Sequence, residues 1–430
     1  MKIQFKFSVL FLLFLFASQS VSYAATITWT GDVSSEWFNA GNWSGAIPGP
    51  GDDVIIPAGR PNDPVVEFLT QIASMVVESG ATVTIISATL SINNASGNGL
   101  DNSGTIHNAA SINIQNTTDN GIFNQSGASF TNDGVIFIGI NSTSTGSNGI
   151  LNEGTGTQFQ NNNRIDIRQT DANALQNQGG AQFTNAAGAI INIGQTTATI
   201  SGDGIVNLSS GTTFTNNGTI LIDKISNNGI DNRTIFNNTA SGTINIGQNS
   251  GNGGIISIVN ESNTAAFTNS GTIAIDNAKN GGMRNRSNAS FMNALGANLN
   301  IGQTVGSIVD GDGISNSSSS SFINDGTITI DNTSSGISSQ AEFDNTASAN
   351  IHIGQNDGNI VGMGLLITGA SFMNSGTINI DDVAVDGIQN RADFKNAANA
   401  RLNIGQNGGN IGENGIRNSS NTSIFTNEGN

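Results

Sequence analysis

Short apolar strings recur along this chain, and glycine, asparagine, serine and threonine separate them. The clearest string is Ile-Asn-Ile-Gly-Gln or a close variant of it. It occurs five times, with its third residue at Ile193, Ile246, Ile301, Ile353 and Ile404. Successive copies lie 53, 55, 52 and 51 residues apart. A fixed period of this kind predicts a repeat architecture.

The repeating unit is half of that period. A second version, Gly-Thr-Ile-x-Ile-Asp, lies between the copies and starts at Gly218, Gly271, Gly326 and Gly376. A Phe-x-Asn string precedes each version, and a string close to Gly-Ile-x-Asn usually precedes the phenylalanine. The phenylalanines are Phe130, Phe159, Phe183, Phe214, Phe236, Phe267, Phe291, Phe322, Phe343, Phe372, Phe394 and Phe425. One unit therefore contains three short strings, and units of two lengths alternate.

Each string has the alternation of a β-strand. Both isoleucines of Ile-x-Ile point to one side, and the same parity turns the phenylalanine and asparagine of Phe-x-Asn inward. Glycine and asparagine at the corners accept the positive φ that β-branched residues resist. The pattern thus predicts an all-β fold, a parallel β-helix (solenoid) with coils of 21–31 residues. About thirteen coils would form a rod roughly 60 Å long.

The inward asparagines need hydrogen-bond partners, because an unpaired amide inside an apolar core is strongly destabilising. We therefore expect them to form ladders along the corners. The alternative is a disordered chain, since glycine, serine and asparagine dominate the composition and charged residues are few. Phenylalanine and isoleucine stay in phase for more than 300 residues, which a disordered chain has no reason to maintain.

Three segments differ in composition. Residues 1–24 have the pattern of a secretory signal peptide, with Lys2 and Lys6 before an apolar run and small residues before a cleavage point after Ala24. Residues 25–68 hold all three tryptophans and all five prolines. We expect this segment to be a cap on the first coil, since an open strand edge must be covered. Residues 69–430 form the repeats. They end at the point where the repeat would continue with an Ile-x-Ile string, and this pattern predicts a C-terminal truncation.

The opening segment carries a resemblance to a known class of proteins. It reads W-T-G-D from Trp29, E-W-F-N-A-G-N-W-S from Glu36 and D-D-V-I-I-P from Asp52. This run resembles the start of large secreted cell-surface β-helix repeat proteins of Bacteroidetes. The resemblance covers residues 25–100 in detail and the remainder by repeat style. It implies a right-handed helix, cell-surface or extracellular deployment and an adhesin-like or stalk role, and it supplies no catalytic residues.

Charge narrows the range of partners. Without the first 24 residues the chain has 12 basic and 31 acidic residues, a net charge of −19. Such a chain is repelled by nucleic acid and by anionic membrane surfaces. No second long apolar run follows the signal peptide, so no membrane insertion is expected. The remaining partner class is an extracellular polysaccharide or another ligand on a host or cell surface.

Few residues offer catalytic chemistry. There is no cysteine, and His107 and His352 lie too far apart along the predicted rod to share a metal. Arg164, Asp166 and Arg168 should face outward along one strand, where they could bind an acidic sugar or form a solvated charge triad. These three residues are the first candidate ligand contacts.

Arginines also recur at one position of the repeat. Arg233, Arg286 and Arg391 each follow the asparagine of a Gly-Ile-x-Asn-type string, and Gln340 occupies the equivalent place between the last two. We expect a stripe on every second coil that could contact an anionic polymer. The alternative is simple charge balance on an acidic surface.

Longer loops follow Ile-Gly-Gln on alternate coils: Thr196–Asp203, Thr304–Asp312 and Asn407–Asn414. Closely spaced aspartates such as Asp310 and Asp312 supply the oxygen ligands that calcium prefers, yet no calcium-binding motif is matched. The sequence therefore predicts no cofactor, with calcium in these loops as the alternative and tight-turn chemistry as their ordinary role.

These observations favour an exported structural protein, a rigid adhesin-like stalk that displays repeated loops and has no catalysis in this segment. The alternative is a polysaccharide lyase or hydrolase, or a carbohydrate-binding module, on the same scaffold. An enzyme would need paired carboxylates, or an arginine beside a calcium cluster, on one face.

Overall fold

The computed structural model describes residues 25–140, 144–195, 199–249, 252–304, 309–355, 359–406 and 409–430. These residues form three parallel sheets of 16, 15 and 14 strands that wind into one β-solenoid. The only described helix is a single 3₁₀ turn at Ala40–Asn42. The predicted all-β parallel β-helix is confirmed.

Sheet 1 contains the Gly-Ile-x-Asn strings. Its strands are Thr26–Thr28, Asp53–Ile56, Ser74–Val77, Leu100–Asn102, Ile122–Gln125, Ile150–Glu153, Leu175–Gln178, Ile205–Asn207, Ile230–Asn232, Ile258–Glu261, Gly281–Arg286, Val309–Asn316, Thr333–Ser339, Leu365–Ile367, Ile388–Asn390 and Ile416–Asn418.

Sheet 2 contains the Phe-x-Asn strings. Its strands are Val65–Val66, Thr82–Ile85, Thr105–Asn108, Ser129–Asn132, Gln158–Asn161, Gln182–Asn185, Thr213–Asn216, Ile235–Asn238, Ala266–Asn269, Ser290–Asn293, Ser321–Asn324, Glu342–Asn345, Phe372–Asn374, Asp393–Asn396 and Ile424–Asn427.

Sheet 3 contains the Ile-x-Ile strings. Its strands are Thr70–Ile72, Thr89–Asn93, Ser111–Gln115, Val135–Ile138, Arg164–Ile167, Ile190–Ile193, Thr219–Ile222, Thr243–Ile246, Thr272–Ile275, Asn298–Ile301, Thr327–Ile330, Asn350–Ile353, Thr377–Ile380 and Arg401–Ile404.

The solenoid has about fifteen coils, not the thirteen predicted. Part of the difference arises because residues 25–68, which hold the tryptophans and prolines, contribute strands of their own. Thr26–Thr28 and Asp53–Ile56 pair in parallel at one end of sheet 1, and Val65–Val66 pairs with the second strand of sheet 2. At about 4.8 Å per coil the rod is roughly 70 Å long.

The three tryptophans form one buried cluster within that segment. Trp43 lies 4.8 Å from Trp29 and 4.7 Å from Trp37 between ring centroids, in edge-to-face contacts. The indole N–H of Trp29 donates to the carbonyl of Asn62 at 2.7 Å. All three rings belong to the same continuous core as the isoleucines of the repeats.

Phenylalanine rings fill one side of the bore. The twelve rings from Phe130 to Phe425 stack face to face, with neighbouring centroids 4.5–5.5 Å apart. The stack follows from sequence parity, because each phenylalanine stands directly above its equivalent in the register of sheet 2. The predicted inward direction of these residues is confirmed.

Asparagine ladders run beside the apolar rows, as predicted. In sheet 2 the amide Nδ2 of each inward asparagine from Asn108 to Asn396 donates to Oδ1 of the asparagine in the next coil, at 2.7–2.8 Å. Sheet 1 has a second ladder from Asn102 to Asn316. Ser339 and Ile367 then occupy its positions, and it resumes between Asn390 and Asn418.

Candidate functional site

A groove of about 500 Å³ lies on consecutive coils that carry Arg233, Glu261 and Arg286. Each of these residues follows the asparagine that ends its sheet-1 string, so the parallel register stacks them along the rod. The hydroxyl groups of Ser262 and Thr264 also line the space. We call it the Arg233–Arg286 groove.

An ion-pair network forms the charged wall of this groove. Nη2 of Arg233 lies 2.8 Å from Oδ2 of Asp231 and 3.2 Å from Oε1 of Glu261. Nε of Arg286 donates to Oε2 of Glu261 at 2.6 Å. Two guanidinium groups therefore face two carboxylates, and the local charges cancel. The side chain of Glu261 is held from both sides and keeps 18% of its surface exposed.

The predicted arginine stripe is thus only partly assembled. The structure brings Arg233 and Arg286 together through a shared carboxylate, whereas Arg391 lies farther along the rod. There Nη2 of Arg391 donates to Oε1 of Gln389 at 2.8 Å and its Nε donates to Oγ of Ser419 at 3.3 Å. The sequence pattern was followed only through the arginines on every second coil, so Glu261 on the coil between them was missed. Comparison of the residue after the sheet-1 asparagine in every coil would have revealed it.

A further carboxyl group lies close to the network. Burial raises the pKa of Asp203, and the nearby negative charge of Asp231 raises that pKa further. The backbone N–H of Asn228 donates to Oδ1 of Asp203 at 2.7 Å. A carboxyl group with a raised pKa beside an ion-paired carboxylate is an arrangement that general acid–base catalysis uses.

The Arg164–Asp166–Arg168 triad is largely self-satisfied. Nε and Nη2 of Arg164 donate to the two oxygens of Asp166 at 2.8 Å each, and Nδ2 of Asn192 donates to Oδ1 of Asp166 at 2.6 Å. Nη2 of Arg168 is 3.9 Å from the same carboxylate, and its guanidinium lies over the ring of Phe137 at 5.3 Å. The adjoining cavity holds only about 150 Å³. Asp166 is 3% exposed, although outward exposure was expected.

Buried aspartates form another polar row, which the sequence analysis did not assign. They end the Gly-Thr-Ile-x-Ile-Asp strings and are Asp223, Asp276, Asp331 and Asp381. Nε2 of Gln195 donates to Oδ2 of Asp223 at 2.9 Å, and Nε2 of Gln248 donates to Oδ2 of Asp276 at 2.6 Å. The glutamine of Ile-Gly-Gln on one coil thus pairs with the aspartate of the next coil.

The same packing between neighbouring coils explains why glycine occupies the second-to-last position of Ile-Gly-Gln. Gly247 has φ of +74°, and a Cβ built there would lie 2.0 Å from the carbonyl oxygen of Asp276. Only a residue without a side chain allows that approach at that backbone angle. The strict alternation of Gly-Gln and Asp endings was the sequence signal for this packing.

Acid is expected to stabilise the coil around Asp223. Burial raises the pKa of Asp223 above its ordinary value, so the folded state takes up a proton at a higher pH than the unfolded chain does. The free energy of unfolding should therefore rise as the pH falls through the folded pKa towards 3.8. The measurement is the midpoint of urea denaturation at pH 7 and at pH 4 for the parent protein and for Asp223→Asn. The increase in the midpoint from pH 7 to pH 4 should be smaller in Asp223→Asn than in the parent protein.

Asp133→Asn is the control, because the shift in the pKa of Asp133 has the opposite sign. The hydrogen bond from Asn162, followed by that with His107, lowers the pKa of Asp133 below its ordinary value of 3.8, so this carboxylate contributes stability that is lost only as the pH falls below that value. Between pH 7 and pH 4, Asp133→Asn should therefore respond to acid as the parent protein does. An equal response in all three proteins would contradict the assignment.

The histidines do not approach each other. Nε2 of His107 lies 2.5 Å from Oδ2 of Asp133, whereas Nδ1 of His352 lies 3.1 Å from Nδ2 of Asn379 and burial lowers the pKa of His352. His352 is half-buried. Within the described ranges, no group of three or more His, Cys, Asp or Glu residues lies close enough to hold a metal ion.

The predicted loops fall partly outside the described residues, namely at 196–198, 305–308 and 407–408. Asp310 and Asp312 were expected in a loop but lie in the strand Val309–Asn316. The prediction was wrong because the backbone there continues the sheet-1 pairing, with Asp312 in register between Gly281 and Ser335.

Comparison with known proteins yields no match: no protein-family model fits the chain, and no curated protein and no solved structure is significantly similar to it. In the part of the chain that the structure describes, no helix is long and apolar enough to cross a membrane.

Proposed function

We propose that this protein is an exported structural rod, an adhesin-like stalk that holds a ligand-contacting surface at a set distance from the cell. The observation that carries the proposal is the unbroken core. The phenylalanine stack from Phe130 to Phe425 and the asparagine ladder of sheet 2 bind each coil to the next. A solenoid held in this way is stiff, because a bend would have to separate stacked rings and break ladder hydrogen bonds.

Export and surface deployment rest on the sequence. The resemblance of residues 25–100 to Bacteroidetes cell-surface β-helix proteins supports them, as does the signal-peptide pattern of residues 1–24, which lie outside the described residues. The acidic chain disfavours nucleic acid and anionic membrane surfaces as partners. An extracellular polysaccharide or another cell-surface ligand is the partner class that we propose.

One observation favours a second candidate, a polysaccharide lyase or hydrolase. Asp231 and Glu261 both contact Nη2 of Arg233, at 2.8 and 3.2 Å, so those two carboxylate oxygens lie within about 6 Å of each other. Paired carboxylates at comparable separations perform acid–base and nucleophilic steps on glycosidic bonds. Asp203, with its raised pKa, would be the proton donor.

The test is incubation of the purified protein with acidic and neutral polysaccharides, with and without calcium, followed by chromatography of polymer size. We expect the polymer size to stay unchanged, and scattering in solution to report a rod roughly 70 Å long. Shortened polymer would contradict the non-catalytic proposal. Loss of the shortening in an Asp231→Asn/Glu261→Gln variant, with retention in Arg391→Gln, would then assign the activity to the groove.

A further inference from the structure

The Arg233–Arg286 groove differs from the rest of the outer wall in its fixed hydrogen-bonding groups. Glu261 is clamped between two guanidinium groups. Each guanidinium also has an Nη1 that makes no hydrogen bond to the described residues. The groove therefore presents donors on either side of an acceptor, on coils about 4.8 Å apart.

The hydroxyl groups along the groove are held in place by the turns that carry them. Oγ1 of Thr264 donates to the carbonyl oxygen of Arg233 at 3.2 Å and lies 3.2 Å from Oγ of Ser262. Ser209 and Ser262 have φ of +77° and +129°, angles that a non-glycine residue keeps only where the surrounding structure determines them. The lining is thus polar on both sides and organised before any ligand arrives.

The charge of the groove selects the class of ligand. Arg233 and Arg286 are balanced by Asp231 and Glu261, and the whole chain carries a formal charge of −17. A polyanion would be repelled at long range and would have to displace Glu261 from its two partners. An uncharged ligand with many hydroxyl groups avoids both penalties, because carboxylate and guanidinium groups accept and donate hydrogen bonds in pairs.

We propose that the Arg233–Arg286 groove binds a neutral oligosaccharide that lies along the rod axis. A space of about 500 Å³ that spans several coils suits a few sugar units rather than one. Neighbouring hydroxyl groups of a sugar ring would bridge Glu261 and an arginine, and Leu208 supplies an apolar contact for a ring face. This inference rests on the proposed role as a ligand-contacting rod and names the ligand class and the place.

The test is calorimetric titration of the full chain with neutral gluco-, manno-, xylo- and galacto-oligosaccharides, from monosaccharide to tetrasaccharide, and with oligogalacturonate. We expect one neutral series to bind, with affinity that increases with length. The double variant Arg233→Gln/Arg286→Gln should weaken that binding at least tenfold. Thr264→Val should weaken it less, and gives a milder second probe should the double variant fold poorly.

Arg391→Gln is the matched control, since Arg391 occupies the same repeat position outside the groove. It should bind as the parent protein does. The inference is overturned if no neutral oligosaccharide binds at millimolar concentration, if oligogalacturonate binds more tightly, or if Arg391→Gln weakens binding equally. These outcomes are separate from the polymer-size test: shortened polymer contradicts the rod proposal, whereas unchanged polymer without binding contradicts the groove alone.

Discussion

Replacement of Phe236 by alanine is expected to lower the free energy of unfolding of the coils around it by about 3–5 kcal/mol. Phe236 is 0% exposed, and its ring stacks between Phe214 and Phe267 with centroids 4.7 and 4.6 Å apart. Its removal deletes both ring contacts and leaves a cavity that the strands cannot close, because their spacing is set by backbone hydrogen bonds. Urea denaturation followed by circular dichroism measures the loss.

The control lies one residue earlier on the same strand. Ile235 points outward and is 40% exposed, so Ile235→Ala should change the stability by less than about 1 kcal/mol. Solenoids unfold as coupled neighbouring coils, so hydrogen exchange near Phe236 should show the loss as local opening. A loss no larger than that of Ile235→Ala would show that the ring stack contributes little.

Replacement of Asn238 by leucine is expected to lower the free energy of unfolding by about 3 kcal/mol, although the side chains are similar in size. Asn238 accepts from Nδ2 of Asn216 at 2.8 Å and donates to Oδ1 of Asn269 at 2.8 Å and to the carbonyl of Thr272 at 3.3 Å. Leucine leaves these buried groups without their partner, and each unsatisfied group costs about 1–3 kcal/mol. The ladder therefore breaks on both sides.

The adjacent residue again provides the control. Asn237 lies on the outer face of the same strand and takes no part in the ladder. Asn237→Leu should leave the urea midpoint nearly unchanged, whereas Asn238→Leu should lower it clearly. Equal midpoints for the two variants would refute the view that the ladder, and not asparagine content as such, stabilises the coil.

The candidate site was only partly predictable. Arg233 and Arg286 were recognisable as a repeated position, but their link through Glu261 depends on the register of the intervening coil. The pairing of Asp231 with Arg233 brings together outward side chains two residues apart on one coil. Since outward side chains have several rotamers and solvent as an alternative partner, sequence spacing could not decide these contacts.

The interior of this protein follows from its repeat pattern. Strand parity placed isoleucine, phenylalanine and asparagine inward, and a parallel stack puts like residues on like, so the ring stack and the amide ladders follow from period alone. Three other features arise from packing between coils: the additional coils built from the tryptophan segment, the fit of Gly247 against the carbonyl of Asp276, and the Arg233–Arg286 groove. These features depend on how coils of unequal length align, and the chain adopts that alignment only when neighbouring coils are packed together.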